Sequence, residues 1–189
     1  FLNLIRKNNI KKSHDQLKAD RPTIEELKFI PKLPISILVE NVRSVYNVGS
    51  IFRTADGFGA EKIFLTGFTP IPPRKDLSKT ALGADESVEW EYDKSSISIA
   101  QKMKQKGYRL LLIEQTFDSQ SIYDFDIQFP ICFIVGNEVS GVSEELSELA
   151  DFKADIPMHG IKQSLNVSVA CGVIGYELAR RYKISIRDN

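Results

Sequence analysis

The chain has 189 residues with 25 Lys and Arg against 25 Asp and Glu, a length that suits one well-buried domain. A net charge of zero argues against a binder held to nucleic acid by bulk charge, though not against a local basic face. Hydrophobic residues make up 42% of the chain, yet no apolar run approaches the roughly 20 residues that span a bilayer.

The N-terminal stretch FLNLIRKNNIKKSHDQ has no uninterrupted apolar core and no small-residue cleavage site, so it does not read as a signal peptide. It starts at Phe rather than Met, as a chain beginning inside a longer one would. Residues 1–19 suit a helix, with Leu2, Ile5, Ile10 and Leu17 on its apolar side. Thr23, followed three residues later by Glu26, has the spacing of a capping box, and Pro31 and Pro34 close the extension. Residues 1–34 are therefore expected to form a helical, basic N-terminal extension, with residues 35–189 as the main domain. Its lysines and arginines are those of an ordinary solvated helix face.

Strands and helices then alternate. Ile35–Glu40 is a β-branched run, Val48–Phe58 has helical spacing, and Lys62–Thr66 is a strand. Gly67–Lys75, with Pro70, Pro72 and Pro73, is expected to be a loop, and Ser87–Tyr92 another strand. Ser95–Lys106 is helical, and Tyr108–Ile113 and Ile131–Val135 are strands. Ser143–Leu149 is a short helix capped by Ser143, Phe152–Ile156 a strand, and Asn166–Tyr182 a long apolar helix. Such alternation predicts an α/β domain with a mostly parallel sheet and helices on both faces. Cys132 and Cys171 fall in apolar runs without metal-type spacing and are expected to be buried free thiols in a reducing compartment. His14 and His159 are too few and too far apart to suggest zinc, and His159 carries no assigned role.

Ligands of open α/β sheets bind beyond the C-terminal ends of strands. Three such ends are rich in polar residues and glycine: Glu40–Arg53, Gly136–Ser143 and Ile156–Asn166. Gly136 and Gly141 have P-loop spacing, but Val142 stands where the phosphate-binding Lys belongs. Gly57 and Gly59 begin like a dinucleotide fingerprint, but Lys62 replaces the third glycine, and both glycines read better as a helix stop. An unrelated nucleotide-binding enzyme is thereby disfavoured.

The segment Asn41…Asn47-Val-Gly…Arg53-Thr-Ala resembles motif 1 of the SpoU/TrmH family of RNA 2′-O-methyltransferases. Phe133-Ile-Val-Gly-Asn-Glu-Val-Ser-Gly-Val-Ser143 is similar to its motif 2, and Ile156-Pro-Met…Ser164-Leu-Asn-Val-Ser-Val-Ala170 to its motif 3. All three stand in the family's order, within roughly Ile35 to Tyr182. The resemblance implies a SPOUT-type C-terminal trefoil knot, which periodicity cannot show and ordinary topology rules disfavour. It further implies a cytoplasmic homodimer with each active site near the dimer interface. S-adenosylmethionine is the implied cofactor and no metal is implied. The implied substrate is structured RNA, tRNA foremost. The alternatives are ribosomal RNA and a knotted RNA-binding protein without catalysis, which would be expected to lose residues that this chain keeps.

The resemblance also assigns roles. Arg53 is the residue most tied to catalysis, but a guanidinium stays protonated in nearly every protein setting. A phosphate clamp that fixes the ribose is therefore preferred, while Arg53 as the base remains open. Asn47 lies near the site or caps a helix, and Glu138 braces the loop or positions the ribose. Ser164 and Asn166 contact cofactor or ribose, or else cap the last helix. Gly136, Ile156, Met158 and Leu165, with Ser164 and Asn166, would hold the cofactor. Arg43, Lys75, Lys79 and the tail of Arg180, Arg181, Lys183 and Arg187 are candidate phosphate contacts, or else plainly solvated side chains. Only about thirty residues precede the first strand, fewer than a separate RNA-binding domain needs.

Overall fold

The computed structural model describes residues 11, 13, 15–16, 22–27, 29–124 and 126–187. It divides into two compact units, Phe1–Pro31 and Lys32–Asn189. In the first, Thr23 and Glu26 form the expected capping box. The Glu26 N–H donates to Thr23 Oγ1 at 3.2 Å and the Thr23 N–H to Glu26 Oε2 at 2.7 Å, opening α1 (Ile24–Leu27). Ser13 and Gln16 make the same reciprocal pair, and Lys11 and Ser13 are not helical. The helix expected over 1–19 therefore does not include Lys11 and Ser13; Leu2, Ile5, Ile10 and Leu17 lie outside the described residues.

The second unit is a seven-stranded, wholly parallel sheet. Its strands are β1 (Ile35–Glu40), β2 (Lys62–Thr66), β3 (Glu89–Asp93), β4 (Arg109–Ile113), β5 (Gln120–Ser121), β6 (Ile131–Val135) and β7 (Phe152–Asp155). They lie in the order β3-β2-β1-β6-β4-β7-β5. The central strands are buried on both faces, which is why their sequences are continuously apolar rather than alternating. Side-chain alternation still sorts them into two cores. Ile35, Ile37, Val39, Phe133 and Leu111 face one side, and Leu38, Cys132, Ile134, Leu110 and Leu112 the other.

The first face is covered by α2 (Val45–Phe58), α3 (Lys75–Ala81), α4 (Ala84–Ser87) and α7 (Val167–Ser185). The second carries α5 (Ser96–Gln105) and α6 (Glu144–Leu149). Both thiols are free and buried, Cys132 in one core and Cys171 in the other; burial pushes the Cys171 thiol up to about 12. Among the described residues no helix is long and apolar enough to cross a membrane.

The structure corrects several expectations. The stretch read as a loop up to Lys75 leads into two short helices, α3 and α4. The latter takes Ser87, so β3 starts at Glu89 rather than Ser87. Helix α2 begins three residues before Val48. Gly59 is the left-handed stop expected of it, at φ 81°. Gly57 is not part of that stop: it lies inside α2, where Tyr176 Oη sits in the space a Cβ would take. Ser143 opens α6 without capping it by a side-chain bond, because its hydroxyl is given to Glu40 instead.

Gly49 shows how tightly α2 and α3 are joined. A Cβ there would stand 2.7 Å from the Leu77 carbonyl oxygen and 2.8 Å from Thr80 Cβ. Helix propensity favours Ala over Gly by at most about 1 kcal/mol, whereas overpacking costs about 1–3 kcal/mol. Gly49→Ala is therefore expected to destabilise the protein by about 1–2 kcal/mol, read as a lower urea midpoint at unchanged m-value. A midpoint at or above that of the parent would contradict this packing.

Candidate active site

The site is built where β1, β6 and β7 end. Glu40, the last residue of β1, is only 3% exposed, and three donors satisfy its carboxylate. Ser96 Oγ donates to it at 2.6 Å, the Ser143 N–H at 2.7 Å and Ser143 Oγ at 2.8 Å. One buried acid thus ties β1 to the starts of α5 and α6. Asn41 follows in the left-handed region at φ 55°, which Asn tolerates better than most residues. Its carbonyl accepts from Asn137 Nδ2 at 2.8 Å. Asn137 in turn accepts the Val139 and Ser140 N–H groups on its side-chain oxygen and pairs its backbone with Gly141. That turn folds so closely that Gly136 has no room for a side chain against the Gly141 backbone. Glycine at 136 is thus required by the loop itself.

A second polar chain crosses all three loops. Glu138 accepts from the Arg43 N–H and the Ser44 N–H, both at 3.1 Å, and from Asn47 Nδ2 at 2.9 Å. The Asn47 side-chain oxygen accepts from Asn166 Nδ2 at 3.0 Å. Asn166 then caps α7, accepting from the Ser168 N–H at 2.9 Å. Capping by Asn166 is as expected, while capping of α2 by Asn47 is not what occurs: the capping oxygen there belongs to Ser44, leaving the Asn47 amide free to bridge the loops. Burial by itself raises the Glu138 pKa, but the donors from Arg43, Asn47 and Ser44 outweigh it and hold the carboxylate below its usual range.

Beside this chain lies a cleft of about 460 Å³ lined by Val135–Val139, Gly141 and Ser164–Val167, among others. An adjoining pocket of about 120 Å³ is walled by Ile113, Ile156, Met158, Leu165 and Ala170. Together they fall within the roughly 300–1,000 Å³ typical of small-molecule sites. Residues 158–165 are partly or fully exposed, and among the described residues their backbone groups make no hydrogen bond. Apolar walls beside unspent backbone donors and acceptors suit a flat, uncharged heterocycle with a polar tail, such as an adenosyl group. The residues present fit the implied cofactor.

Gly136, Ile156, Met158, Ser164, Leu165, Asn166 and Glu138 are thus brought together around one cleft. Ser164 lines both parts and makes no bond of its own among the described residues, so it does not cap a helix. Asn47 stands just behind the cleft, through Glu138 and Asn166. Arg53 does not line it: the residue is exposed on α2, one turn before the point where Tyr176 meets Gly57, and has no ionic partner among the described residues. Sequence reasoning missed Ile113, Glu114 and Gln115, which line the pocket at the end of β4. The strand-end rule would have found them had it been applied to that fourth strand.

A family model described as the SpoU rRNA Methylase family matches residues 34–176. A tRNA (guanosine(18)-2′-O)-methyltransferase of Thermus thermophilus is 32% identical over 178 residues, covering 92% of this chain and 89% of that one. The crystal structure of a TrmH/SpoU tRNA-modifying enzyme of A. aeolicus superposes with a TM-score of 0.77 at 28% identity, covering 86% and 83% of the two chains. An AdoMet-bound rRNA methyltransferase of Sinorhizobium meliloti gives 0.72 at 27% identity, over 82% of this chain and 60% of that one.

The depressed pKa of Glu138 has a defined sign. Its contribution to stability is complete above the unfolded value of about 4.3 and is lost as pH falls through the lower folded value. The stability gap between the parent and Glu138→Gln is expected to be level near neutral pH and to narrow below about pH 4. Urea denaturation from pH 7 to pH 3 measures it, and a gap independent of pH would rule out the ionised brace.

Proposed function

The chain belongs to the SpoU rRNA methylase family, and on that premise we propose that it transfers a methyl group from S-adenosylmethionine to a ribose 2′-hydroxyl of structured RNA. One observation carries the reading: the Glu138–Asn47–Asn166 chain joins all three motif-bearing loops around a cleft that suits an adenosyl group. tRNA is the favoured substrate because the Thermus relative, matched over most of its length, is named for it. Ribosomal RNA is the alternative, in keeping with the Sinorhizobium neighbour.

Ile156, Met158 and Leu165 would hold the adenosyl ring, with Gly136, Ser164 and Asn166 at the polar side. When bound, the cofactor supplies an electrophilic methyl group on a sulfonium. The remaining work is to hold the ribose oxygen in line and to dispose of its proton, and positioning supplies much of such a rate. Glu138 is poorly suited as a base: its carboxylate is depressed and already accepts three hydrogen bonds. We assign it the brace. Arg53, exposed and without an ionic partner among the described residues, holds an RNA phosphate that fixes the ribose, and the hydroxyl proton, made acidic as the oxygen–methyl bond forms, passes to water.

Three further features belong to the same proposal. A C-terminal trefoil knot is supported by the return of the chain after β7, at the far side of the sheet, to pack α7 on α2 next to β1. A homodimer is supported by Val169 and Tyr176, half exposed on α7 close to the α2 face that carries Arg53. Residues 1–34 serve as a basic extension to the domain 35–189. The RNA substrate and the two free thiols support a cytoplasmic setting.

Incubating tRNA and rRNA with the protein and methyl-deuterated cofactor, followed by nucleoside mass spectrometry, tests the reading. Label is expected in a 2′-O-methylnucleoside. Arg53→Ala is expected to lower kcat by about 100-fold or more while leaving cofactor affinity in place. Absence of label in either RNA with the parent protein would overturn the activity. Full activity in Arg53→Ala would overturn the role of that residue.

A further inference from the structure

On the surface next to this site, Phe68 is 55% exposed on the loop that follows β2. A single exposed aromatic is ordinary, but this one is held rigidly. Gly67 adopts φ 65°, and Asn41 Oδ1 occupies the space where a Cβ would stand. The Phe68 N–H donates to that same oxygen at 3.3 Å, and Tyr92 Oη donates to the Gly67 carbonyl at 2.8 Å. Buried Thr69 anchors the other side, accepting from the Val42 N–H at 3.1 Å and donating to the Thr66 carbonyl at 2.7 Å.

Over the ring stands Arg43, with its guanidinium carbon 5.4 Å from the centroid. Its backbone N–H is gripped by Glu138, the residue that also holds Asn47. Among the described residues Arg43 has no carboxylate partner. A planar cation over an exposed ring, the one held through Glu138 and the other through Asn41, presents a π surface and a phosphate ligand side by side. Unpaired RNA bases are bound in this way, since every base has a π face and every nucleotide a phosphate.

We propose that Phe68 and Arg43 form a stacking platform for an unpaired RNA base next to the ribose to be methylated. The inference rests on the RNA-methylating reading and adds to it a requirement: the target lies in a single-stranded or splayed-out segment, with a neighbouring base parked on Phe68.

Binding of an unmodified tRNA transcript, followed by fluorescence anisotropy, tests it with Phe68→Leu, Phe68→Trp and Arg43→Gln. Cofactor affinity by calorimetry and the thermal midpoint are measured in parallel. Phe68→Leu is expected to weaken RNA binding about tenfold, with Phe68→Trp restoring it. Arg43→Gln is expected to weaken binding and to reduce its salt dependence by about one phosphate contact. Cofactor affinity and thermal midpoint are expected to stay at parental values in all three. Parental RNA affinity in Phe68→Leu, with label still transferred by the parent protein, would overturn the platform and leave the activity standing. Failure of Phe68→Trp to restore binding, or a matching loss of cofactor affinity or thermal stability, would mean a structural role and overturn it as well. If the parent neither binds nor methylates RNA, the activity itself falls, and the platform falls with it.

Discussion

The Asn47 side chain is the joint on which the rest of the site depends. Its amide donates to Glu138 and accepts from Asn166, so one residue at the start of α2 connects the loop after β6 to the cap of α7. An irregular loop keeps its shape only if its polar groups find partners, and here a carboxylate and two amides supply them. Charge makes the contact stronger: Glu138 is ionised, and hydrogen bonds to a charged acceptor are roughly twice as strong as neutral ones. Remove the joint and the cap of α7 loses its bond to the other two loops, which stay joined through Glu138 and Asn137.

Packing gives this joint a fixed frame. Helices α2 and α7 meet through small residues, with Gly172 against Thr54 and Gly175 so close to Phe58 that a side chain there would displace the ring. The close approach brings the N-terminal ends of the two helices together, which is why two asparagines 119 residues apart in sequence can share a hydrogen bond. Rigidity is also what the chemistry asks for, because methyl transfer to a weak nucleophile depends more on alignment than on strong acid or base.

Zero net charge and an RNA substrate are reconciled by pairing. Lys62 and Lys102 share Glu91, Lys104 meets Asp151, Lys153 meets Asp118, and Arg74 meets Asp76. Arg180 and Arg181, which composition alone offers as a basic tail, both lie in α7 and grip Glu177, holding its carboxyl down at about 2. The side chains of Arg43 and Arg53, in contrast, meet no carboxylate among the described residues; Arg43 lies just before α2 and Arg53 within it. Pairing thus takes up part of the basic charge and leaves both arginines open to a phosphate.

The order of strands and helices was legible in the chain because the signal is local. A parallel strand buried on both faces must be apolar throughout, as in Ile131–Val135, and a helix stop such as Gly59 is written in one residue. The three polar strand ends were equally legible, together with the cleft residues that they carry, whereas Ile113, Glu114 and Gln115 at the end of β4 were not. Tertiary structure alone decided how those ends were used. Ser143 looks like a cap in sequence but serves Glu40, and Asn47 looks like a cap but bridges loops, since a side chain spends its hydrogen bonds on the nearest partner in space. Helices α3 and α4 escaped notice because seven- and four-residue helices carry too little periodicity, and they hold only by packing on α2. Glu138 and Asn47 are 91 residues apart, and Asn47 and Asn166 farther still. No local pattern encodes a contact across such a separation; only the sheet, by setting the ends of β1, β6, β4 and β7 in one row, turned three motifs into one site.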